Sequence, residues 1–184
     1  LFAHNEYDLL SLAGLAVLFN RLLQGECALE AMPAEELFRL GMWLDDLGKD
    51  ALAEGVFAEI LRRPERESRP YWNRMAARYK RKGNRQLAAE LWERLAKREN
   101  ATIAVPLEPY IELAIYYEHR RKNYALALEY AETALKLNKK RAALTGRPYR
   151  DHPAHADLEK RVERLRGKLE RQAEAKTAGA SAAR

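Results

Sequence analysis

Two turn glycines that lie 35 residues apart, Gly48 and Gly83, constrain the fold of this chain more than any other feature. Each separates two amphipathic segments, which are 35–47 and 49–62 around the first glycine and 71–82 and 84–97 around the second. Residues of matching chemistry recur at the same spacing: Gly41 with Ala76, Ala53 with Ala88, Phe57 with Trp92, and Ile60 with Leu95. A helical period inside a fixed repeat length is typical of stacked helical hairpins. We therefore predict close helix packing at the small positions and a turn at each glycine.

A third copy follows at a longer spacing, over residues 109–121 and 123–137. Asn123 stands where the first two copies have glycine, so we expect it to adopt the left-handed backbone that ends the first helix. Ala127 and Ala134 supply the small positions of the second helix. Prolines and β-branched residues across 100–109 interrupt the helical pattern and predict an inserted loop before this copy.

The chain beyond the repeats divides into a helix and a tail. Glycine and proline interrupt the pattern between 146 and 153, and a new apolar stripe at helical spacing follows, formed by Leu158, Val162, Leu165 and Leu169. A stack of hairpins needs a terminal helix that covers its last apolar face, so we predict that residues 150–176 are such a capping helix. Residues 177–184 are small and non-periodic, which predicts a flexible tail.

The repeated segments resemble tetratricopeptide repeats. The matching strings are Leu40-Gly41…Gly48…Ala53…Phe57, Met75-Ala76…Tyr79…Gly83…Ala88…Trp92 and Leu113-Ala114…Tyr117…Ala127…Ala134. The resemblance covers residues 34–139 and implies an all-α fold, in which antiparallel helical hairpins stack as a short α-solenoid. The chain departs from the family at the closing proline, which only Pro64 approximates, and at one extra residue in the third turn. A plain helical bundle is the alternative.

The same resemblance implies a protein-interaction or scaffolding role for the concave face formed by the first helix of each hairpin. The corresponding positions are Phe38, Met42, Asn73 and Ala77, followed by Glu112 and Ile115 in the third copy. Only Asn73 is of the type that such repeats use to clamp acidic peptide termini, so a chaperone-tail clamp is not expected. The apolar side chains of Phe38 and Met42 instead predict an apolar helix or peptide as partner, and a segment of the same polypeptide is one candidate.

A row of arginines supports a second hypothesis, the binding of single-stranded nucleic acid. Arg74, Arg78 and Arg81 fall on one predicted helical face, and the interleaved aromatic residues are Tyr71, Trp72 and Tyr79. Rows of arginine bind phosphates, and single strands add stacking on aromatic rings. In the alternative interpretation the aromatic residues belong to the hairpin core and only the arginines face solvent.

Charge is distributed unevenly along the chain. Residues 1–61 carry 3 basic and 11 acidic side chains, whereas residues 62–184 carry 30 basic and 16 acidic ones. This polarity fits an acidic or nucleic-acid partner for the C-terminal part, although solvated arginine-rich helix faces would give the same composition.

The first 24 residues do not follow the repeat. His4 and Asp8 lie four residues apart at the start of a predicted helix, which Asn5 is suited to cap. This string resembles the last motif of ribonuclease-H-like 3′–5′ exonucleases of the four-carboxylate (DEDD) class. The resemblance implies that residues 1–24 are the last helix of a truncated nuclease domain, which in some bacterial proteins precedes a tetratricopeptide-like tail. Asp8 would then be a metal ligand and His4 the proton acceptor; helix capping without catalytic ancestry is the alternative.

We expect this chain alone to be no enzyme and to hold no cofactor, because two-metal chemistry needs further carboxylates that would precede Leu1. For a longer protein the resemblance implies Mg²⁺ or Mn²⁺ and 3′–5′ exonuclease activity. The leading hypothesis is therefore an interaction module appended to a nuclease domain, with protein, peptide or that domain itself as partner. The alternative is a nucleic-acid-binding module that delivers substrate to the nuclease.

Cysteine usage and hydropathy point to the compartment. The single Cys27 cannot form an intramolecular disulfide and fits a reducing environment. No apolar run approaches the ~20 residues of a membrane-spanning helix, and no leader peptide is apparent. These features predict a cytoplasmic protein with no membrane partner.

Overall fold

The computed structural model describes residues 28–97, 106–146 and 155–182, together with position 148 and scattered positions between 13 and 26. Over this part of the chain every regular element is helical and no strand occurs. The predicted all-α fold class is therefore confirmed. The chain divides into two compact units, Leu1–Tyr71 and Trp72–Arg184.

Seven α-helices follow one another through the described residues between 34 and 182. They are α1 (Ala34–Asp46), α2 (Asp50–Arg62), α3 (Glu65–Arg81), α4 (Arg85–Ala96), α5 (Glu108–Tyr116), α6 (Tyr124–Thr145) and α7 (His155–Ala182). A short 3-10 turn at Leu29–Ala31 precedes α1, and a π-helical turn at Tyr117–Arg121 extends α5. Among the described helices, none is long and apolar enough to cross a membrane.

In the first unit, α1 and α2 form a hairpin around Gly48. The backbone of Gly48 is left-handed, with φ of 69°, which is the conformation predicted for the turn. Gly41 faces the ring of Phe57, and a Cβ atom at Gly41 would lie 2.8 Å from two ring carbons. The missing side chain at Gly41 therefore lets the two helices approach closely, as the repeat pattern predicts.

The N-terminal helix and the 3-10 turn are tied to this hairpin. Described positions between 13 and 24 are helical, and the Phe19 ring lies 5.3 Å from the Trp43 ring. The Arg63 guanidinium donates hydrogen bonds to the carbonyls of Leu29 and Glu30, at 2.9 and 2.7 Å, and also pairs with Glu59 at 3.0 Å. One half-buried arginine thus holds the 3-10 turn to the end of α2.

In the second unit each helix packs on the next one along the chain, α4 on α5, α5 on α6 and α6 on α7. The core lies between α5, α6 and α7 and is formed by Leu107, Tyr110, Ala114, Ala127, Ala131, Ala134, Leu137, Leu158, Val162 and Leu165. The predicted apolar stripe of α7 is therefore buried against α6, apart from the half-buried Leu169.

The turn between α5 and α6 differs from the prediction. Lys122, not Asn123, has the left-handed backbone, with φ of 56°. Asn123 has φ of −92° and caps α6, because its side-chain oxygen accepts a hydrogen bond from the Leu126 amide at 3.1 Å. The prediction for Asn123 was wrong by one position, since an asparagine suits a helix N-cap as well as a left-handed turn.

Several helix ends also differ from those predicted. Helix α3 begins at Glu65, six residues before the predicted start, and contains Pro70 in its second turn. Helix α6 continues to Thr145, where Gly146 ends it with φ of 65°. Helix α7 runs from His155 to Ala182, so its backbone includes most of the segment predicted as a tail. Proline beyond the first turn removes one backbone hydrogen bond and crowds the carbonyl four residues earlier, so the sequence favoured a helix start after Pro70.

Candidate functional site

The residues predicted for catalysis, His4 and Asp8, lie outside the described part of the chain. Within the described part, no group of three or more His, Cys, Asp or Glu side chains is arranged to hold a metal ion.

Phe38 does not form a groove. Its side chain is only 2% exposed; the ring stacks on that of Tyr71 at 4.9 Å and lies 6.3 Å from that of Phe57. Met42, one turn further along α1, is half-buried. The predicted apolar groove over Phe38 and Met42 is therefore mainly hairpin core, because the aromatic ring turns inward to fill the space between helices.

Asn73 is fully engaged inside the second unit. Its side-chain oxygen accepts a hydrogen bond from Trp92 Nε1 at 2.9 Å, and its amide nitrogen donates to Glu108 Oε2 at 2.7 Å. The side chain thus joins α3, α4 and α5, while Ala77, one turn along α3, is half-buried. Asn73 has a structural role here and is not a ready clamp for a ligand carboxylate.

The predicted row of arginines is interrupted. Arg74 and Arg81 are exposed, but Arg78 is fully buried and its guanidinium carbon lies 5.2 Å from the Tyr79 ring centre. Arg78 follows the buried Met75 by three positions, so the two side chains lie on the same side of α3. That side faces the core, whereas the row of arginines was predicted to face solvent. The three residues do not form a continuous exposed track.

A pocket of about 270 Å³ opens in the second unit beside these residues. Its apolar surface comes from Trp92 on α4 and from Ile115 and Tyr116 on α5. Its polar residues are Lys80 at the end of α3, Arg85 at the start of α4, Glu112 on α5, and His119 and Arg120 in the π-helical turn. Among the pocket residues, Glu112 and Ile115 were predicted to lie on the concave face of the repeats.

The apolar surface of the pocket is held in place by fixed side chains. Trp92 is anchored through its indole nitrogen by Asn73, as described above. Tyr116 packs edge-on against Tyr117, with ring centres 5.4 Å apart, and the Arg121 guanidinium lies 5.9 Å from the Tyr116 ring centre. A pocket whose walls are already ordered loses little conformational entropy when a ligand binds.

The cations around the pocket differ in their partners. Lys80 Nζ lies 2.7 Å from both carboxylate oxygens of Glu112, so this pair is electrically neutral. Arg85 and Arg120 are both exposed, and within the described residues no carboxylate pairs with either. The pocket therefore combines an apolar surface with two guanidinium groups that have no carboxylate partner in the described part of the chain.

Glu118 fixes the π-helical turn that carries His119 and Arg120. Its buried carboxylate accepts hydrogen bonds from Arg164 at 2.9 Å and Lys168 at 2.8 Å, and Arg161 also pairs with it. Burial alone would raise the pKa of Glu118, but the hydrogen bonds from Arg164 and Lys168 and the charges of Arg164 and Arg161 outweigh it and lower the pKa to about 2. The pocket wall is thereby tied to α7.

Tyr117 holds the same turn to α4 and α6. Its hydroxyl hydrogen-bonds to Glu93, and its ring stacks on that of Tyr130 at 5.7 Å. Burial and the neighbouring Glu93 carboxylate raise the pKa of Tyr117, and burial together with Glu93 raises the pKa of Tyr130 to about 12. Both phenols are therefore neutral and act as hydrogen-bonding and packing groups rather than as bases.

Sequence reasoning missed Glu118 and Arg120. Glu118 stands in the charged string from Glu118 to Lys122, which reads as a solvated turn, and its partners lie more than 40 residues away on α7. Helical spacing relates residues of one helix, and so it carries no signal for a contact between two helices distant in sequence.

The chain is similar to a longer bacterial protein. It is 26% identical over 134 residues to a protein of Bacillus subtilis (strain 168) described as "Uncharacterized protein YprB", and the match covers 72% of this chain and 31% of that protein. The chain thus spans about a third of the length of the curated relative it matches. No family model and no solved structure matches the chain.

Proposed function

We propose that this chain is a tetratricopeptide-like interaction module, and that it binds a segment of a partner protein in the pocket between α3, α4, α5 and the π-helical turn. The order of turn glycines, small residues and aromatic residues supports the repeat assignment, with α7 as the capping helix. The pocket supports binding as the function.

The observation that carries this proposal is the composition of the pocket. Its surface joins an aromatic and aliphatic floor from Trp92, Ile115 and Tyr116 to a charged rim. A volume of about 270 Å³ is just below the ~300–1,000 Å³ of sites for drug-sized ligands, which favours an inserted side chain of a polypeptide. Aromatic floors of this kind are typical anchoring points in protein interfaces.

The experiment is a selection of random 12-residue phage-displayed peptides on the full 184-residue chain. Enriched peptides are synthesised, and their affinities are measured by fluorescence anisotropy for the wild type and for Ile115→Glu. We expect the affinity to fall at least about tenfold in this variant, because a buried carboxylate replaces an apolar contact.

Leu144→Glu is the matched control, because Leu144 is also apolar but is 65% exposed and does not line the pocket. Its peptide affinities should equal those of the wild type. Absence of any enriched peptide, or equal losses in both variants, would count against the proposal.

For the longer protein we propose a ribonuclease-H-like nuclease domain with this module C-terminal to it. The support is the His4–Asp8 string and its position before the repeats. The test is metal-dependent 3′–5′ exonuclease activity of the full-length protein, which Asp8→Asn should abolish while Leu144→Glu leaves it unchanged. Activity that survives Asp8→Asn contradicts the assignment.

A further inference from the structure

We infer that the segment bound by the pocket carries an aspartate or glutamate next to an aromatic or aliphatic side chain, and that Arg85 and Arg120 bind the carboxylate. This inference rests on the proposed function, since it names the chemistry of the ligand for the same pocket. Three observations on the second unit carry it.

The first observation is the distribution of partners among the cations of this unit. Lys80 is paired with Glu112, while Arg161, Arg164 and Lys168 all converge on Glu118. By contrast, Arg85 and Arg120 line the pocket without a carboxylate partner among the described residues. A guanidinium binds a carboxylate through two parallel hydrogen bonds, so these two side chains are suited to an acidic residue of a ligand.

The second observation is that the two arginines share the pocket with its apolar floor. Trp92, Ile115 and Tyr116 line the same cavity of about 270 Å³. A ligand that reaches both features must therefore present an apolar group and an anionic group close together. An apolar residue flanked by aspartate or glutamate in an extended or helical segment satisfies this condition.

The third observation separates this ligand from a nucleic-acid strand. Single strands are held by a groove of cations that follows several phosphates, with successive bases stacked on aromatic rings. Here Arg78 is buried, which breaks the row with Arg74 and Arg81, and Lys80 is neutralised by Glu112. Two uncommitted arginines at one pocket match one or two carboxylates better than a phosphate chain.

The test uses the peptides selected above, with synthetic versions in which each aspartate or glutamate is replaced by its amide. Binding to the wild-type chain, to Arg85→Glu, to Arg120→Glu and to the double variant is measured by fluorescence anisotropy at two salt concentrations. We expect the amide peptides to bind the wild type about tenfold more weakly, and each single variant to lose about tenfold for the acidic peptides.

A charge reversal in the ligand provides a readout that a merely structural role of the arginines would not give. Peptides with lysine in place of the acidic residue should bind the double variant better than the acidic peptides do. Arg66→Glu is the control, because Arg66 is exposed, lies in the first unit and does not line the pocket. It should leave every affinity unchanged, and a circular dichroism spectrum of each variant reports whether it is folded.

The outcomes distinguish this inference from the proposed function. Selected peptides that lack acidic residues, or amide peptides that bind as tightly as acidic ones, overturn the inference but leave a binding module. Failure to select any peptide overturns both. If a single-stranded oligonucleotide binds more tightly than the peptides and loses affinity in the double variant, the inference is overturned. The ligand of the pocket is then nucleic acid and not a protein segment.

Discussion

At the scale of single residues, Glu118 is the centre of a buried cluster of charges. A fully buried carboxylate is costly unless charged partners satisfy it, and here three cations of α7 do so. The same carboxylate fixes the turn that carries Arg120 into the pocket. Glu118, which does not line the pocket, thus determines where the proposed binding residue Arg120 lies.

Glu118→Gln should destabilise the chain by about 2–4 kcal/mol, since it leaves three cations without their shared counter-charge. We expect a value at the lower end of this range because Arg164 is 45% exposed and is partly solvated. Glu132→Gln is the matched control: Glu132 on α6 also pairs with a cation of α7, Arg166, but both side chains are largely exposed, and the loss of this pair should cost less than about 1 kcal/mol. Urea unfolding followed by circular dichroism measures both, and equal costs would contradict the role of burial.

The depressed pKa of Glu118 also makes stability depend on pH. Its pKa is about 2 in the folded chain against an ordinary value of 4.5, so the ionised form is favoured by folding. The contribution of the ionised Glu118 carboxylate to the free energy of unfolding is fully present above pH ~4.5. It is lost as the pH falls through that value towards 2. We expect the difference in unfolding free energy between wild type and Glu118→Gln to be constant from pH 7 to 5 and to shrink between pH 4.5 and 2.5. A difference that is flat over the whole range would contradict this origin.

The left-handed backbone at Lys122 carries strain that glycine would relieve. Lys122→Gly should stabilise the chain by about 0.5–1 kcal/mol, because a side chain with a Cβ atom is disfavoured at φ of 56°. Lys122→Ala keeps the Cβ atom and should behave like the wild type. Thermal unfolding of the three proteins checks this, and stabilisation by alanine as well would point to lost charge repulsion in place of backbone strain.

At the scale of elements, helix packing decides whether a glycine is required. Gly41 and Gly55 both lie within the α1–α2 hairpin, so helix propensity favours alanine at each. Their surroundings differ: a Cβ atom at Gly41 would meet the buried Phe57 ring, whereas one at Gly55 would meet nothing within 4 Å.

Gly41→Ala should therefore destabilise the hairpin by about 1–3 kcal/mol, because the rigid ring must move within a packed core. Gly55→Ala should instead stabilise it by about 0.5–1 kcal/mol through helix propensity alone. Chemical denaturation of both variants gives the two signs. Stabilisation by Gly41→Ala would show that the two helices can separate without cost.

At the scale of the whole molecule, α7 completes the second unit. Its buried residues Leu158, Val162 and Leu165 cover α6, and its cations hold Glu118. An α-helical stack that ends on an uncovered apolar face is prone to association. The charge of the chain is uneven, since residues 1–61 are acidic and residues 62–184 are basic. The ion pairs between α7 and Glu118 neutralise only part of the basic charge.

Truncation after Gly146 removes α7 and should expose the apolar face of α6. We expect increased binding of a hydrophobic dye, a lower melting temperature and oligomers in size-exclusion chromatography. Truncation after Glu174 is the control, because it keeps the buried residues of α7 and the partners of Glu118. It should leave all three measurements unchanged. If the chain truncated after Gly146 is monomeric and stable, the covering role of α7 is contradicted.

Much of the local structure follows from the sequence alone. Turn glycines, helix caps and apolar stripes act over a few residues, so the helices around Gly48 and Gly83, the close approach at Gly41 and the buried stripe of α7 could all be predicted. The candidate site could not. Only tertiary structure decided that Phe38 and Arg78 are buried, that Asn73 is occupied by Trp92 and Glu108, and that Arg85 and Arg120 meet at one pocket. Whether a polar side chain is available to a ligand depends on partners from other helices, which no spacing within one helix records.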